Sequence, residues 1–274
     1  MSCSELSLAA GEALAGTATT AERWLLVEVR GPWGREAVVD SGLPRPVREL
    51  LETFDGRVQL IRRPDRRAGT TVVLAVTAEG GGAARRLELS GLDELPAADL
   101  GSGEPVEGPL LLICAHGRRD ACCARLGVPL FDALGPHVGE GQLWQSSHLG
   151  GHRFAPNLLV LPLGVQLGRI PVEKAPAVVR SLAAGRIPLE WYRGRTLYTA
   201  PVQAAEIAVR RALRLDGAGD VRLLSNTSAS VRFATPGGNV TVQVEASDGP
   251  AVPASCGAER EPARTWHASI ASGA

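Results

Sequence analysis

Apolar positions recur along this chain in short runs punctuated by glycine and proline, the rhythm of alternating strands and helices. Trp24-Leu-Leu-Val-Glu-Val-Arg30 reads as a strand stopped by Gly31-Pro32-Trp33-Gly34. Val47 to Phe54, opened by Pro44 and Pro46 and closed by Gly56, has helical spacing. Strand patterns follow over Arg57 to Arg62, Thr70 to Thr77 and Ala84 to Ser90, the last two separated by the glycine run at 80–82, and a short helix is expected near Leu92 to Leu100. Residues 1–20 are small and polar and predict a loose lead-in. Gly101 to Pro109, rich in Gly and Pro, predicts a linker.

Beyond that linker the order repeats. A strand at Leu110 to Cys114 leads to a helix at Cys123 to Leu134 and a strand at Gln142 to Ser146. Strands around Leu158 to Leu161 and Gln166 to Ile170 and a helix at Val172 to Ala184 complete the set. A strand, a crossover helix and a strand, followed by an antiparallel hairpin and a packing helix, is the thioredoxin-like arrangement, whose parallel pair requires the crossover. A further helix, Val202 to Leu215, places Val202, Ala205, Val209 and Leu213 on one face. Asp220 to Ser225, Ser230 to Ala234 and Asn239 to Ala246 then alternate as strands, with Pro236-Gly-Gly-Asn239 as a turn. The expected fold class is therefore α/β: two degenerate thioredoxin-like units, 1–104 and 105–218, and a small strand-rich C-terminal α+β appendage, 219–274. The length of 274 residues agrees, at roughly 150 residues per domain.

Charge narrows the partners. The 29 basic and 29 acidic side chains cancel, so no nucleic acid is expected, and the near-exclusive use of arginine, with Lys174 the one lysine, reads as codon bias rather than a phosphate-binding surface. No run approaches the roughly 18 apolar residues a membrane span needs, the longest being Pro109 to Ala115. No signal-peptide pattern opens the chain, so a cytoplasmic protein is expected. In a reducing compartment the five cysteines, with Cys114, Cys122 and Cys123 crowded and Cys3 and Cys256 far off in sequence, point to metal or redox chemistry rather than a disulfide frame.

The chemistry gathers in two loops. Cys114-Ala-His-Gly-Arg-Arg-Asp-Ala-Cys122-Cys123 sits between a buried strand and a helix, and His148-Leu-Gly-Gly-His152-Arg153 comes after the next strand. Both lie at strand C-terminal ends, the edge where open α/β sheets bind ligands. Thiolates with imidazoles suit zinc, copper or iron–sulfur centres, whereas calcium and magnesium want oxygen. The two glycines between the histidines suit close backbone approach to a bulky group. Each residue also has a plainer role open to it: Cys114 as a small core hydrophobe, the histidines as loop hydrogen-bonders.

The string Cys114-x-His-Gly-x-x-Asp-x-x-Cys123, with Ser147-His-Leu-Gly-Gly-His-Arg-Phe-Ala155, resembles the sucrase/ferredoxin-like family. Arg23-Trp-Leu-Leu-Val-Glu28, Gly31-Pro-Trp-Gly34, Tyr192-Arg-Gly-Arg195 and Val202-Gln-Ala-Ala-Glu206 extend the resemblance over nearly the whole chain. It implies a thioredoxin-like ferredoxin with a 2Fe-2S cluster held by Cys114, Cys123, His148 and His152. Cys122 is then a non-ligand neighbour, and Ala124 replaces a glycine common in the family. His116 is a donor to a cluster sulfide or a loop residue, and Arg119, Asp120 and Arg153 are expected to orient the loops through an Asp–Arg pair or to form solvated surface pairs. The "sucrase" of the name implies nothing here, because no paired carboxylates sit in a glycosidase context.

Imidazole in place of two thiolates removes negative charge and raises the potential, into a range of about −150 to +300 mV for Rieske centres against about −400 mV for plant-type ferredoxins. A histidine ligand that keeps a titratable proton makes the potential fall as pH rises. The expected role is that of an intracellular one-electron carrier serving a redox partner protein of unknown identity, with 1–104 as a scaffold or docking half without ligands, and an electron-transfer role rather than that of a stand-alone enzyme. The alternative is a zinc-bound Cys2His2 structural or interaction domain, although structural zinc sites bring cysteines closer than the eight intervening residues here. A thiol–disulfide oxidoreductase would need a Cys-x-x-Cys at the strand–helix junction, where this chain has adjacent Cys122 and Cys123.

Overall fold

The computed structural model describes residues 1–63, 71–227 and 230–271. The chain opens on a helix, α1 (Cys3–Ala9), where a loose lead-in was expected. The correction has a local cause in Ser2-x-x-Glu5, a capping box: Ser2 Oγ accepts the Glu5 N–H, and Glu5 accepts the Ser2 N–H at 2.8 Å.

The first half runs β1 (Arg23–Glu28), α2 (Arg45–Thr53), β2 (Arg57–Arg62), β3 (Thr71–Thr77) and β4 (Ala83–Leu89). Thr70, the expected start of β3, lies outside the described residues. The helix expected near Leu92 is a 3-10 segment, Leu92–Ala97, because Pro96 removes a donor inside it. The expected linker contains a two-residue strand, β5 (Glu104–Pro105), on β4.

The second half runs β6 (Leu110–Cys114), α3 (Ala121–Leu134), β7 (Leu143–Ser146), β8 (Asn157–Leu161), β9 (Val165–Gly168), α4 (Ala175–Ala183), β10 (Tyr192–Arg195) and α5 (Ala200–Leu213). Strands β11 (Arg222–Asn226), β12 (Ser230–Thr235), β13 (Gly238–Pro253) and β14 (Arg260–Ile270) form a separate four-stranded antiparallel sheet. Residues 228–229 and 272–274 of this appendage lie outside those described.

Ten strands make one mixed sheet in the order β10-β9-β8-β6-β7-β2-β1-β3-β4-β5. Within it the same pattern occurs twice. β1 and β2 are parallel, joined through α2, with β3 and β4 added antiparallel beyond β1; β6 and β7 are parallel, joined through α3, with β8 and β9 added antiparallel beyond β6. The halves meet where β2 and β7 pair antiparallel, Ile61 opposite Ser146 and Arg62 opposite Gln145.

Burial ties the halves together. One cluster packs Trp24, Leu26, Ile61 and Leu74 against Leu112, Cys123, Trp144 and Leu159, drawing from both sides of the 101–109 segment. Another fills the space between the second half of the sheet and its helices around Leu130, Val178 and Ile207. A third seats α5 on the small sheet through Val202, Val209, Phe233 and Val242. At roughly 1.5–3 kcal/mol for each fully buried large apolar side chain, these interfaces dominate the favourable side of folding.

Candidate metal centre

In the parallel pair β6·β7, Cys114 stands opposite Ser146, so both strands end together and the segments after them share one edge. Cys114 closes β6, and α3 begins seven residues later with Asp120 as its N-cap, accepting the Cys122 N–H at 2.8 Å. Gly127 lets α3 lie close on β6, since a Cβ there would sit 2.0 Å from the Cys114 carbonyl oxygen. That approach carries Cys123, in the first helical turn, back over Cys114.

His148 completes the group. Its Nδ1 lies 3.9 Å from Cys114 Sγ and 3.7 Å from Cys123 Sγ, and the three donor atoms all lie within 4.8 Å of one another. Both cysteines are fully buried, and His148 is half-buried at the mouth of a groove of about 300 Å³ that Arg35, Arg57, His116 and Arg119 also line. The fourth expected residue, His152, stands beside this group. Its ring is 5.0 Å from that of His148, Nε2 meets the Ala254 carbonyl at 2.5 Å and Asp120 at 3.8 Å, and Nδ1 is buried without a partner.

The two thiols are pushed in opposite directions. A hydrogen bond from Cys123 holds the Cys114 thiol well below its ordinary pKa, against burial and with help from His148. The bond to Cys114 and burial push Cys123 far up. Burial lowers both His152 and His116, so each imidazole is held neutral, the form that binds a metal.

Of the two roles open to each flanking residue, neither the sulfur contact nor the Asp–Arg pair forms. His116 donates to no sulfur: Nε2 bonds the Gly34 carbonyl at 2.6 Å and the ring stands edge-on to Trp33. Arg119 and Arg153 do not pair with Asp120 but with Glu36 and Glu12. Asp120 instead accepts the N–H groups of Cys122 and Cys256, and although burial, the largest influence, pushes its carboxyl up, those bonds and His152 outweigh it and hold it low. Gly150 and Gly151 adopt left-handed conformations, φ +90° and +67°. A Cβ on either would strike Thr19 Oγ1 or Arg193 Nη2, so they accommodate protein contacts rather than a bulky ligand.

Arg193 explains how the histidine loop is held. Fully buried, it donates to the Gly150 carbonyl at 3.1 Å, to Asn157 Oδ1 at 2.7 Å and to Thr17 Oγ1 at 3.0 Å, and burial lowers its pKa to about 9. Gln59 of β2 holds the other end: Ser147 Oγ donates to its Oε1 at 2.8 Å and its Nε2 reaches the His148 carbonyl at 3.4 Å.

The sucrase/ferredoxin-like family pattern matches residues 14–194, well over half of the chain. The chain belongs to the sucrase/ferredoxin-like family. Within curated proteins it is 34% identical over 133 residues to altered inheritance of mitochondria protein 32 of Eremothecium gossypii, covering 43% of this chain and 42% of that protein. To the protein of that name in Clavispora lusitaniae it is 33% identical over 101 residues, covering 34% and 37%. The match thus spans less than half the length of these relatives. A thioredoxin-like [2Fe-2S] ferredoxin from Aquifex aeolicus aligns at 16% identity and a TM-score of 0.29, covering 33% of this chain and 94% of that one. No described helix is long and apolar enough to cross a membrane.

Proposed function

We propose that this chain is a redox protein that holds a 2Fe-2S cluster through Cys114, Cys123, His148 and His152 and passes single electrons to a protein partner. The observation that carries this reading is the meeting of two buried thiols with the His148 imidazole, next to a second imidazole whose buried Nδ1 lacks a partner. A buried, unsatisfied nitrogen is costly, and a metal bond would satisfy it. Two thiols and two imidazoles form the donor set that a mixed Cys/His iron–sulfur centre uses.

When bound, the cluster supplies one-electron exchange. The chain supplies the rest. The Cys123 thiol gives up its proton on ligation, burial favours the neutral form of His152, and the buried walls keep water from the sulfurs. Half-buried His148 opens on the groove, which makes its edge the route by which an electron leaves. Arg35 and Arg57 beside it suit an acidic patch on a partner.

A second reading, a single zinc ion, is favoured by one observation: the three donor atoms lie as close together as ligands of one ion, within 4.8 Å. The visible spectrum and metal content of freshly purified protein separate the readings. Brown protein with thiolate-to-iron bands and two irons per chain is the expected result. Colourless protein with zinc lost on Cys114→Ser overturns the cluster in favour of zinc, and metal-free protein with a Cys114–Cys123 disulfide overturns both in favour of thiol exchange.

A further inference from the structure

The three cysteines that the first centre does not use also converge. Cys3 comes from α1, Cys122 from the first turn of α3, and Cys256 from the turn between β13 and β14. Their sulfurs form a triangle with all three sides 3.5 Å. Asp120 Oδ1 lies 3.4 Å from Cys256 Sγ and 3.8 Å from Cys3 Sγ. Cys3, Cys122 and Asp120 are buried, and Cys256 is exposed.

We propose that Cys3, Cys122, Cys256 and Asp120 form a second metal site, for one divalent thiophilic cation of the zinc class, which fastens α1 and the β13–β14 turn to the helix that carries Cys123. The proposal does not depend on what the first centre binds.

Four donors around one ion, with metal–sulfur bonds of about 2.3 Å and a metal–oxygen bond of about 2.0 Å, stand about 3.8 Å apart between sulfurs and about 3.5 Å between sulfur and oxygen. The observed separations need shifts of a few tenths of an ångström. The carboxylate is already aimed: the Cys122 and Cys256 N–H groups hold its two oxygens at 2.8 and 2.9 Å, and each oxygen keeps a lone pair. The Cys3 N–H points at Cys256 Sγ at 3.5 Å, a bond that a thiolate accepts better than a thiol. Binding sends the three thiol protons to solvent, so three thiolates and one carboxylate meet the dication. A disulfide would employ only two of the three sulfurs. Adjacent Cys122 and Cys123 thus serve different centres, because neighbours on a helix diverge by about 100°.

The test is cobalt(II) and zinc binding by the full chain carrying Cys114→Ser and Cys123→Ser, which silences the first centre. One equivalent of cobalt should give sulfur-to-cobalt charge-transfer bands in the near ultraviolet and the intense visible bands of a tetrahedral ion, and one equivalent of zinc should erase them. Adding Cys256→Ser, in an exposed turn that leaves α1 and α3 intact, should weaken cobalt binding at least tenfold, and Asp120→Asn should shift the visible bands. In the wild type, Cys256→Ser should remove one zinc and leave iron content unchanged. Absence of charge-transfer bands, bands that survive Cys256→Ser, or a disulfide between any two of these cysteines in the purified chain would overturn the proposal.

Discussion

The two four-strand patterns of the large sheet share an order and differ in the segments that leave their parallel strands. After β6 and β7 come the cysteines and histidines, whereas the segment after β1, residues 29–44, carries none. That segment reaches across instead: Gly34 takes His116, Trp33 packs against it, and Glu36 takes Arg119. The buried charges are just as unequal. Glu28 is the one buried charge on the first pattern's described strands, while Arg193, Arg195, Glu206 and Arg210 are all buried around the second. A repeated scaffold therefore leaves one copy free to become the wall and support of the other's centre, and the polar groups sit where loops must be held still.

The largest effect should come from breaking the second pattern at its ligands. Cys114→Ser and Cys123→Ser should each cut iron content about tenfold or more, because a serine oxygen is a harder ligand than thiolate. Cys122→Ser should leave iron nearly full while removing the second metal. Iron and zinc analysis of the three variants decides. Bleaching by Cys122→Ser with Cys123→Ser still brown would reassign the ligands by one residue.

Next in size is the ionic brace at the sheet edge. Glu206 accepts from Arg195 Nε at 3.1 Å, Arg210 Nε at 2.9 Å and Tyr192 Oη at 2.9 Å, all buried. Glu206→Leu strands two guanidinium groups and should cost about 3–5 kcal/mol in denaturant unfolding. A loss under about 1 kcal/mol would show that water replaces the carboxylate. Tyr192-Arg-Gly-Arg195 forms β10 on β9, a strand that the sequence pattern did not predict: its two arginines break the apolar run, and Glu206, eleven residues on, is the buried partner of one of them.

The same kind of long-range cause marks where the sequence was readable and where it was not. β6 and β8 were legible because their apolar runs are continuous, α3 because Leu126, Leu130, Phe131 and Leu134 keep helical spacing, and all four expected ligands lie within 39 residues. β14 was not, since Arg260–Ile270 mixes Pro, Arg and His and becomes a strand only through its ladder to β13. The triangle of Cys3, Cys122 and Cys256 joins residues up to 253 apart, a contact no local spacing encodes. The α1 helix was readable after all, from its Ser2-x-x-Glu5 capping box.

A smaller effect tests whether the first half, which gives the first centre no expected ligand, positions that centre's residues. Gln59, buried in β2, is the hinge of that support, with Ser147 and the His148 carbonyl as its partners. Gln59→Leu keeps the volume but takes the acceptor from the Ser147 hydroxyl and the amide donor from the His148 carbonyl, at about 1–3 kcal/mol. The iron should remain, while the visible bands and the potential shift, because His148 loses its anchor. Unchanged bands in a protein destabilised to this extent would limit Gln59 to stability alone.

The smallest effect belongs to the exposed bridge between the halves. Glu36 and Arg119 pair across the groove, but their side chains are 60% and 33% exposed, so solvent and salt screen them. Exposed pairs contribute about 0–1 kcal/mol, and Glu36→Gln should move the melting temperature by no more than that allows. It should leave iron content and bands as they are, because Gln59 and Arg193, not this pair, hold the histidine loop. It does remove an acid from a groove otherwise lined by Arg35, Arg57 and Arg119, so exchange with an acidic electron acceptor should quicken at low ionic strength and return to the wild-type rate at high salt. Stopped-flow oxidation by an anionic acceptor across a salt series measures this. A variant that loses iron would place the contribution of the first half in this surface pair, and one whose rate ignores salt would move the electron's exit away from His148.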